Sequence, residues 1–267
     1  MLVGLSPARR RFLLGVAALV VVALTALAVV LVSRGSAPAA EPVSQERPGP
    51  VLLVPGYGGS TSSLQPLADL LTAQGRDATV VRLPGTGTGD LAESAAALGA
   101  AADAALDRSG ADSVDVVGYS AGGVVARLWV ADGGAAVVRR VITLGAPHHG
   151  TTLADLAGEV APDQCPLGCV QLGTGSAVLA RLNAGDETPA GPTWVSIWTT
   201  QDRTVTPPDS ARLDGALNLP VQEVCPQAQL GHGELPRDAV VQAIVLAQLA
   251  AGDPVPLDAG DCARLGG

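Results

Sequence analysis

The sequence is poor in aromatic residues and contains no lysine. It has one Phe, two Tyr and three Trp, and each of its 16 basic residues is an arginine. So few aromatic rings exclude the stacking platforms on which single-stranded nucleic acid binds. With 25 acidic residues the formal net charge is −9, and a surface of this sign repels nucleic acid and anionic membranes. We therefore predict no nucleic-acid partner.

Motifs for binding phosphate or metal are also missing. The glycine-rich loop that begins at Pro55 contains neither G-x-x-x-x-G-K-[ST] nor G-x-G-x-x-G. The chain has four cysteines and three histidines, without the paired C-x-x-C spacing of a zinc site. We predict neither a metal nor a cofactor.

The four cysteines predict disulfides instead, because thiols outside the cytoplasm are normally oxidised. Four cysteines allow three pairings. Of these we favour Cys165 with Cys169, as a local clasp, and Cys225 with Cys262, which would tie down the C-terminal tail.

The N-terminus has the pattern of a membrane or export segment. Residues 1–11 end in three consecutive arginines, and residues 12–32 form an uninterrupted run of apolar and small residues. At about 1.5 Å per residue, a helix of this length crosses a bilayer core of about 30 Å. The positive-inside rule then places residues 1–11 in the cytoplasm and the rest of the chain outside.

Two interpretations of this segment stay open. Its length favours an uncleaved anchor in the cell membrane, whereas the small residues at 37–39 offer a cleavage site whose use would remove residues 1–40 and release a secreted protein. The arginines before the apolar run also resemble a twin-arginine export signal. In each case we expect an extracytoplasmic protein, with residues 33–48 as a flexible linker and a domain over residues 49–267.

The domain alternates between strand-like and helix-like patterns. Valine-rich runs predict strands at 51–54, 79–83, 114–117, 137–144 and 194–199. Helical spacing marks the segments at 64–74 and 91–106 and the one after the third strand. This alternation predicts an α/β fold with a mostly parallel central sheet and helices on both faces. In such sheets, functional loops gather at the carboxyl ends of the strands.

The third of these strands runs into Gly-Tyr-Ser-Ala-Gly, and a helical pattern follows. The G-x-S-x-G pattern at a sharp strand-to-helix turn is the nucleophile elbow, which presents a serine, here Ser120. Gly118 and Gly122 leave the space that the turn needs because they lack side chains. A developing negative charge needs backbone N–H donors, and the expected ones are Ala121, just after the serine, and Tyr57, in the loop after the first strand.

A serine hydroxyl becomes a nucleophile only when a base takes its proton, and the chain offers only His148, His149 and His232. In proteins with this turn the chain order is serine, acid, histidine. Ser120, Asp202 and His232 follow that order, and Asp202 comes just after a predicted strand. His148 and His149 precede Asp202, so we interpret them as structural or rim residues.

These residues resemble the small secreted bacterial lipases of the α/β-hydrolase fold, often called lipase class 2. The resemblance covers roughly residues 50 to 240, and its stretches lie at 55–59, 118–123, 143–147, 176–189, 194–202 and 211–218. It implies an α/β-hydrolase fold, the roles given above for the serine, its two partners and the two N–H donors, and ester hydrolysis without a cofactor. One departure is Pro55-Gly56, where the family usually has His-Gly; that histidine is not the base.

The expected activity is that of a serine carboxylic-ester hydrolase, a lipase or esterase that acts through an acyl-enzyme on an ester or lipid substrate. An acyltransferase would use the same residues with an acceptor other than water, and a non-catalytic binding protein of the same fold is the alternative from another class. We expect a monomer that contacts the membrane only through its N-terminal helix. Residues 151–192 form a long connection, which predicts either a cap or lid beside the site or a plain surface excursion.

Overall fold

The computed structural model describes residues 9, 15–16, 18–25 and 42–266. Of the membrane or signal segment predicted at 12–32, residues 15–16 and 18–25 are described, and they are helical. The rest of that segment, and the predicted linker as far as residue 41, lie outside the described residues. Within the described ranges, no helix combines the length and the apolar character needed to cross a membrane.

Six strands form one parallel sheet in the order β2-β1-β3-β4-β5-β6. In chain order they are β1 (Val51–Val54), β2 (Ala78–Val80), β3 (Val114–Tyr119), β4 (Val138–Leu144), β5 (Thr193–Trp198) and β6 (Leu217–Pro220). The chain moves outward from β1 to β2 and then returns to the other side of β1 with β3. Ligands of open parallel sheets bind outside the carboxyl ends of the strands at such a reversal.

Helices cover both faces of the sheet, which confirms the predicted architecture. They are α1 (Gln65–Ala73), α2 (Leu91–Ser109), α3 (Ala121–Ala131), α4 (Thr152–Val160), α5 (Leu167–Gln171), α6 (Ala177–Leu182), α7 (Val221–Val224) and α8 (Ala239–Gln248). Side chains of β1 alternate between two cores: Val51 and Leu53 pack with α1 and α8, and Leu52 and Val54 pack with α2 and α3. Burial on both faces explains why the strands are continuous apolar runs.

Helix α2 shows how local signals in the sequence set the boundaries of an element. Asp90 is its N-cap, because the side chain accepts a hydrogen bond from the backbone N–H of Ala92 at 2.9 Å. Gly110 ends the helix with a φ of 68°, in the left-handed region that favours glycine. The predicted helix at 91–106 therefore extends only three residues further, to Ser109.

Two strands differ from the prediction, and both are edge strands. Strand β2 ends at Val80, whereas the sequence predicts a strand over 79–83; its ladder with β1 has only three residue pairs. Strand β6 was not predicted at all. It has four residues and ends in Pro220, so it is too short and too irregular in pattern to be recognised.

A charged cluster, the amino-end cluster, lies at the amino ends of β3 and β4. Its members Asp115, Arg139 and Arg140 are buried, and Arg76, from the loop after α1, is partly buried. Arg139 donates from Nε and Nη2 to the two carboxylate oxygens of Asp115 at 2.8 Å each, and neither side chain is exposed. Arg76 donates to Oδ2 of the same carboxylate at 2.7 Å. Burial, and then the positive charge of Arg139, lowers the pKa of Arg140 to about 10. The carboxylate of Asp115 therefore offsets an excess of buried positive charge.

The amino-end cluster also fixes the end of α8 and the segment before the domain. Arg139 and Arg76 each donate to the carbonyl oxygen of Leu249 at 3.0 Å, which satisfies an acceptor left free at a helix C-terminus. Arg139 donates to the backbone carbonyl of Gln45 at 3.0 Å, and Arg140 to its side-chain oxygen at 3.0 Å. The flexible linker predicted at 33–48 is thus held against the domain at Gln45.

Candidate active site

Ser120 lies at the turn between β3 and α3 with a φ of 54° and a ψ of −126°. Among the described residues other than glycine, it alone has a positive φ. L-residues avoid this region, so surrounding contacts must hold the turn. A Cβ on Gly118 would lie 2.6 Å from the carbonyl oxygen of Gly122, and one on Gly122 would overlap the carbonyl oxygen of Val54. The turn therefore requires glycine on both sides of the serine.

The structure brings Ser120, His232 and Asp202 together from three separate loops. His232 Nε2 lies 3.0 Å from Ser120 Oγ, and His232 Nδ1 lies 2.7 Å from Asp202 Oδ2. A carboxylate can only accept, so Nδ1 carries the proton and Nε2 is left to accept from the serine hydroxyl. Asp202 is 5% and His232 8% exposed. In this arrangement the imidazole can take the serine proton.

The carboxylate of Asp202 is fixed from its other side. Its Oδ1 accepts from the backbone N–H groups of Thr204 and Val205 at 2.8 and 2.9 Å, while Oδ2 faces His232. Asp202 follows β5, and the bend over the next residues turns these two N–H groups back onto it. The orientation of the imidazole is therefore set by a carboxylate that cannot rotate freely.

Tyr119 holds His232 in place and Gly145 lies close against it, and the sequence analysis gave neither residue this role. Tyr119 donates from its hydroxyl to the carbonyl oxygen of His232 at 3.2 Å, and the two ring centroids are 5.2 Å apart. Burial, and then the negative charge of Asp202, raises the pKa of Tyr119 to about 12, so the phenol keeps its proton. At Gly145, with a φ of 57°, a Cβ would lie 3.2 Å from His232 Nδ1. The signal in the sequence is that both lie in stretches on which the resemblance to lipases rests.

The loop after β1 lies against the serine, since a Cβ on Gly56 would come within 3.0 Å of the Ser120 Cβ. Within the described part of the chain, the backbone N–H groups of Tyr57 and Ala121 donate to no protein acceptor. Ala121 is the first residue of α3, where an N–H group has no partner inside the helix. Both groups thus remain available to a bound anion.

A cavity of ≈ 240 Å³ opens at Ser120. Two thirds of its lining residues come from the segment between β4 and β5: Pro147, Thr151, Leu153, Ala154, Ala157, Gln164, Cys169 and Leu172. A larger cavity of ≈ 570 Å³, lined by Arg127, Asp132 and Glu187 among others, does not include the serine. The smaller cavity is therefore the one in which a substrate can meet the hydroxyl.

The predicted cap or lid region at 151–192 is folded as α4, α5 and α6. The Cys165–Cys169 and Cys225–Cys262 disulfides are both present, which confirms the favoured pairing among the three possible ones. Among the described residues, no three His, Cys, Asp or Glu side chains are grouped so that they could hold a metal ion.

The other two histidines make contacts of a different kind. His148 is fully buried, and its Nε2 lies 3.1 Å from Thr143 Oγ1. The Thr143 hydroxyl donates to Ser196 Oγ at 3.0 Å, so its oxygen accepts from His148, and the proton is on Nε2. Within the described residues, Nδ1 of His148 has no partner, and burial holds the pKa of His148 well below its ordinary value. His149 Nε2 pairs with Glu187 Oε1 at 2.9 Å.

Residues 49–164 match a family model described as alpha/beta hydrolase fold. No curated protein matches the sequence. Among solved structures, the mature form of the lipase BlEst2 from Bacillus licheniformis has 21% identity and a TM-score of 0.62, over 80% of this chain and 96% of that chain. Lipase B from Aspergillus fumigatus has 20% identity and a TM-score of 0.66, over 80% of this chain and 55% of that chain.

The same Bacillus lipase in its propeptide form has 22% identity and a TM-score of 0.65, and the match covers 82% of this chain and 54% of that one. Identities this low show the fold alone. They agree with the parallel sheet and the helices on both faces. The chain therefore has the alpha/beta hydrolase fold, with lipases among its structural neighbours.

Proposed function

We propose that this protein is a serine carboxylic-ester hydrolase that acts outside the cytoplasm, as the resemblance to secreted bacterial lipases implies. The observation that carries the proposal is the unbroken line of hydrogen bonds from Asp202 through His232 to Ser120, at 2.7 and 3.0 Å. A buried carboxylate, a base and a hydroxyl in this order are what nucleophilic catalysis by serine requires.

The reaction follows from the positions of these atoms. As Ser120 Oγ attacks the acyl carbonyl carbon, His232 Nε2 takes the hydroxyl proton, and Asp202 stabilises the resulting imidazolium. The N–H groups of Tyr57 and Ala121 donate to the oxyanion of the tetrahedral intermediate. When the intermediate collapses, the leaving alcohol takes the proton from His232 and the acyl group stays on the serine. Water then repeats the sequence and frees the acid.

The substrate proposed is an ester of a short or medium acyl chain, a lipid ester included. The cavity at Ser120, at ≈ 240 Å³, is smaller than the range of about 300–1,000 Å³ typical of pockets for drug-sized ligands. Apolar side chains such as Leu153 and Leu172 line it. The two disulfides support an extracytoplasmic location, where such bonds persist. We propose that the protein is either anchored in the membrane by its N-terminal segment or secreted after cleavage of that segment.

The test is hydrolysis of p-nitrophenyl esters from acetyl to palmitoyl by the purified protein. Ser120→Ala should lower turnover by about 10⁴-fold or more without loss of the folded state, while Ser109→Ala, at the exposed end of α2, should leave it unchanged. Turnover of Ser120→Ala at the wild-type rate would contradict the site. Acyl transfer to an added alcohol in preference to water would indicate an acyltransferase. Ligand binding without turnover would indicate a non-catalytic binding protein.

A further inference from the structure

Helix α4 forms part of the wall of the Ser120 cavity but has no buried side chain. Leu153 and Ala157 of this helix line the cavity, whereas Leu156 and Val160 are 55% and 74% exposed. A short helix in water is held in place mainly by packing of an apolar face. Because α4 has little such packing, its position depends on the contacts at its two ends.

The first half of α4 is held by hydrogen bonds. Thr151, which precedes it, donates from its hydroxyl to the carbonyl oxygen of Thr204 at 2.7 Å and accepts from the N–H of Thr206 at 3.0 Å. Asp155 accepts from the backbone N–H of Thr174 at 2.9 Å and from its hydroxyl at 2.7 Å. The Thr151 contacts attach the start of the helix to the loop that carries Asp202, and the Asp155 contacts attach it to Thr174 in the turn between α5 and α6.

Helix α5, which follows α4 in the chain, is attached to the start of α2. The N–H of Gly168 donates to the carbonyl oxygen of Thr88 at 3.0 Å. Gln171 accepts from the N–H of Leu91 at 2.8 Å and donates to Asp90 Oδ1 at 2.9 Å. A Cβ on Gly168 would lie 2.5 Å from the carbonyl oxygen of Gly89, so the two backbones are in close contact. Helix α5 is therefore a fixed point.

The Cys165–Cys169 disulfide joins the far end of the α4 segment to this fixed point. Cys169 and Gln164 both line the cavity, and the two cysteines are 5% and 9% exposed. The bridge thus lies in the wall itself, beside the space that an acyl chain would fill. The Cys225–Cys262 disulfide, by contrast, joins α7 to the C-terminal segment.

We propose that the Cys165–Cys169 bridge fixes the far wall of the Ser120 cavity and so limits the length of the acyl chain that the serine accepts. The proposal rests on the proposed function, since it assigns the cavity to the acyl group. With the bridge in place, Cys165 is held against Cys169 of α5, in addition to the backbone link through Pro166, so the stretch from residue 157 to residue 165 is fixed at its far end. Without it, this stretch keeps no comparable attachment between Asp155 and α5, and the cavity opens to longer chains.

The experiment compares two bridge-free variants of the full chain, Cys165→Ala with Cys169→Ala and Cys225→Ala with Cys262→Ala. The probes are p-nitrophenyl alkylphosphonates from butyl to dodecyl, which label a reactive serine covalently, and the readout is the rate of labelling at Ser120 by mass spectrometry. Loss of the wall bridge should raise the dodecyl-to-butyl rate ratio by about tenfold, the discrimination that one methylene group gives in an apolar pocket. Loss of the other bridge should leave the ratio as in the wild type.

Ala157→Leu gives an independent test that leaves both bridges in place. The larger side chain fills the same cavity, so the ratio should fall by about tenfold; this result tests whether the cavity holds the acyl chain, separately from the bridge. Where Cys165→Ala with Cys169→Ala does not fold, the role of the bridge is tested by labelling Cys225→Ala with Cys262→Ala before and after reduction of its remaining bridge, and the same tenfold rise is expected. If Cys165→Ala with Cys169→Ala folds and is labelled but keeps the wild-type dodecyl-to-butyl ratio, the proposed role of the bridge is wrong. The same holds if both bridge-free variants change this ratio equally. Neither result contradicts the proposed function. No labelling of Ser120 in the wild type contradicts the proposed function and, with it, this assignment.

Discussion

At the amino end of β3 the carboxylate of Asp115 pairs with Arg139, and beyond the carboxyl end of the sheet the carboxylate of Asp202 pairs with His232. The shortest N···O distances are 2.8 and 2.7 Å, and all four side chains are buried. An arginine stays protonated at every physiological pH, whereas an imidazole ordinarily changes charge between pH 5 and 8. The first pair is a fixed charge in the core, whereas the imidazole of the second can take a proton from the hydroxyl beside it.

The two pairs also differ in how completely the protein around them uses the hydrogen-bonding positions of the basic residue. Every donor direction of Arg139 is used, on Asp115 and on the carbonyl oxygens of Gln45, Leu249 and Ala250. His232 uses only Nδ1 for its carboxylate, and Nε2 faces Ser120 at the edge of a cavity. Burial of an ion pair therefore does not distinguish a reactive site from a structural one. The two pairs differ in that one imidazole nitrogen of His232 faces a hydroxyl beside open space.

Asp202→Asn is the change that should separate catalysis from stability most strongly. An amide at this position can donate to Nδ1, which would leave the proton on Nε2, facing the serine, so we expect turnover to fall by about 10⁴-fold. The thermal midpoint should change little, because the side chain keeps its shape. Asp209→Asn, in the same region but without a contact to His232, is the control. A loss of less than tenfold in Asp202→Asn would show that Asp202 does not orient the base.

Asp115→Asn should have the opposite profile. It leaves the buried Arg139 without a compensating charge, and breaking a buried pair in this way typically costs about 3–5 kcal/mol. Urea unfolding should show that loss, while turnover of the protein that remains folded should equal that of the wild type. Asp112→Asn serves as the matched control. The side chain of Asp112, which pairs with Arg47, is 70% exposed, and such surface pairs contribute about 0–1 kcal/mol to stability. Equal losses in both variants would contradict the distinction.

The sequence predicted the carboxyl end of the sheet far better than the amino end. Ser120 follows from a motif whose residue types the turn geometry requires, and His232 from elimination among three histidines. Asp90 and Gly110 bound α2 through contacts within a few residues of chain. These features are local in sequence, or follow a fixed chain order, so a pattern can reveal them.

The amino-end cluster has no local signature. Arg139 and Arg140 are predicted only as part of a strand, and nothing near them in sequence indicates that Asp115 and Gln45, 24 and 94 residues away from Arg139, will meet them. The same holds for Tyr119 and the His232 carbonyl, which are 113 residues apart. Pairings of this range depend on strand order, and β6 shows that even one unrecognised edge strand leaves that order incomplete.

His148 sharpens the comparison further, because it is a buried base with no carboxylate partner among the described residues. Burial, and then the positive charges of Arg127 and His149, hold the pKa of His148 well below its ordinary 6.5. The folded protein therefore keeps this imidazole neutral, while the unfolded chain takes up a proton as the pH falls through about 6.5. Above that pH the group does not affect the pH dependence of stability. Below it, the unfolded state gains up to about 1.4 kcal/mol per pH unit, until the folded pKa is reached.

His148→Gln should remove this acid sensitivity. We expect the variant to be less stable than the wild type at pH 7.5, because the contact with Thr143 is altered, but the difference in the free energy of unfolding should shrink by about 1 kcal/mol per pH unit between pH 6 and 5. Urea unfolding at several pH values measures it, and His149→Gln, whose side chain is 43% exposed, should show a much smaller change. If the difference in the free energy of unfolding between the wild type and His148→Gln stays constant with pH, His148 takes up a proton in the folded state. His148 would then not be a base that the core keeps neutral, and the contrast with His232 would be lost.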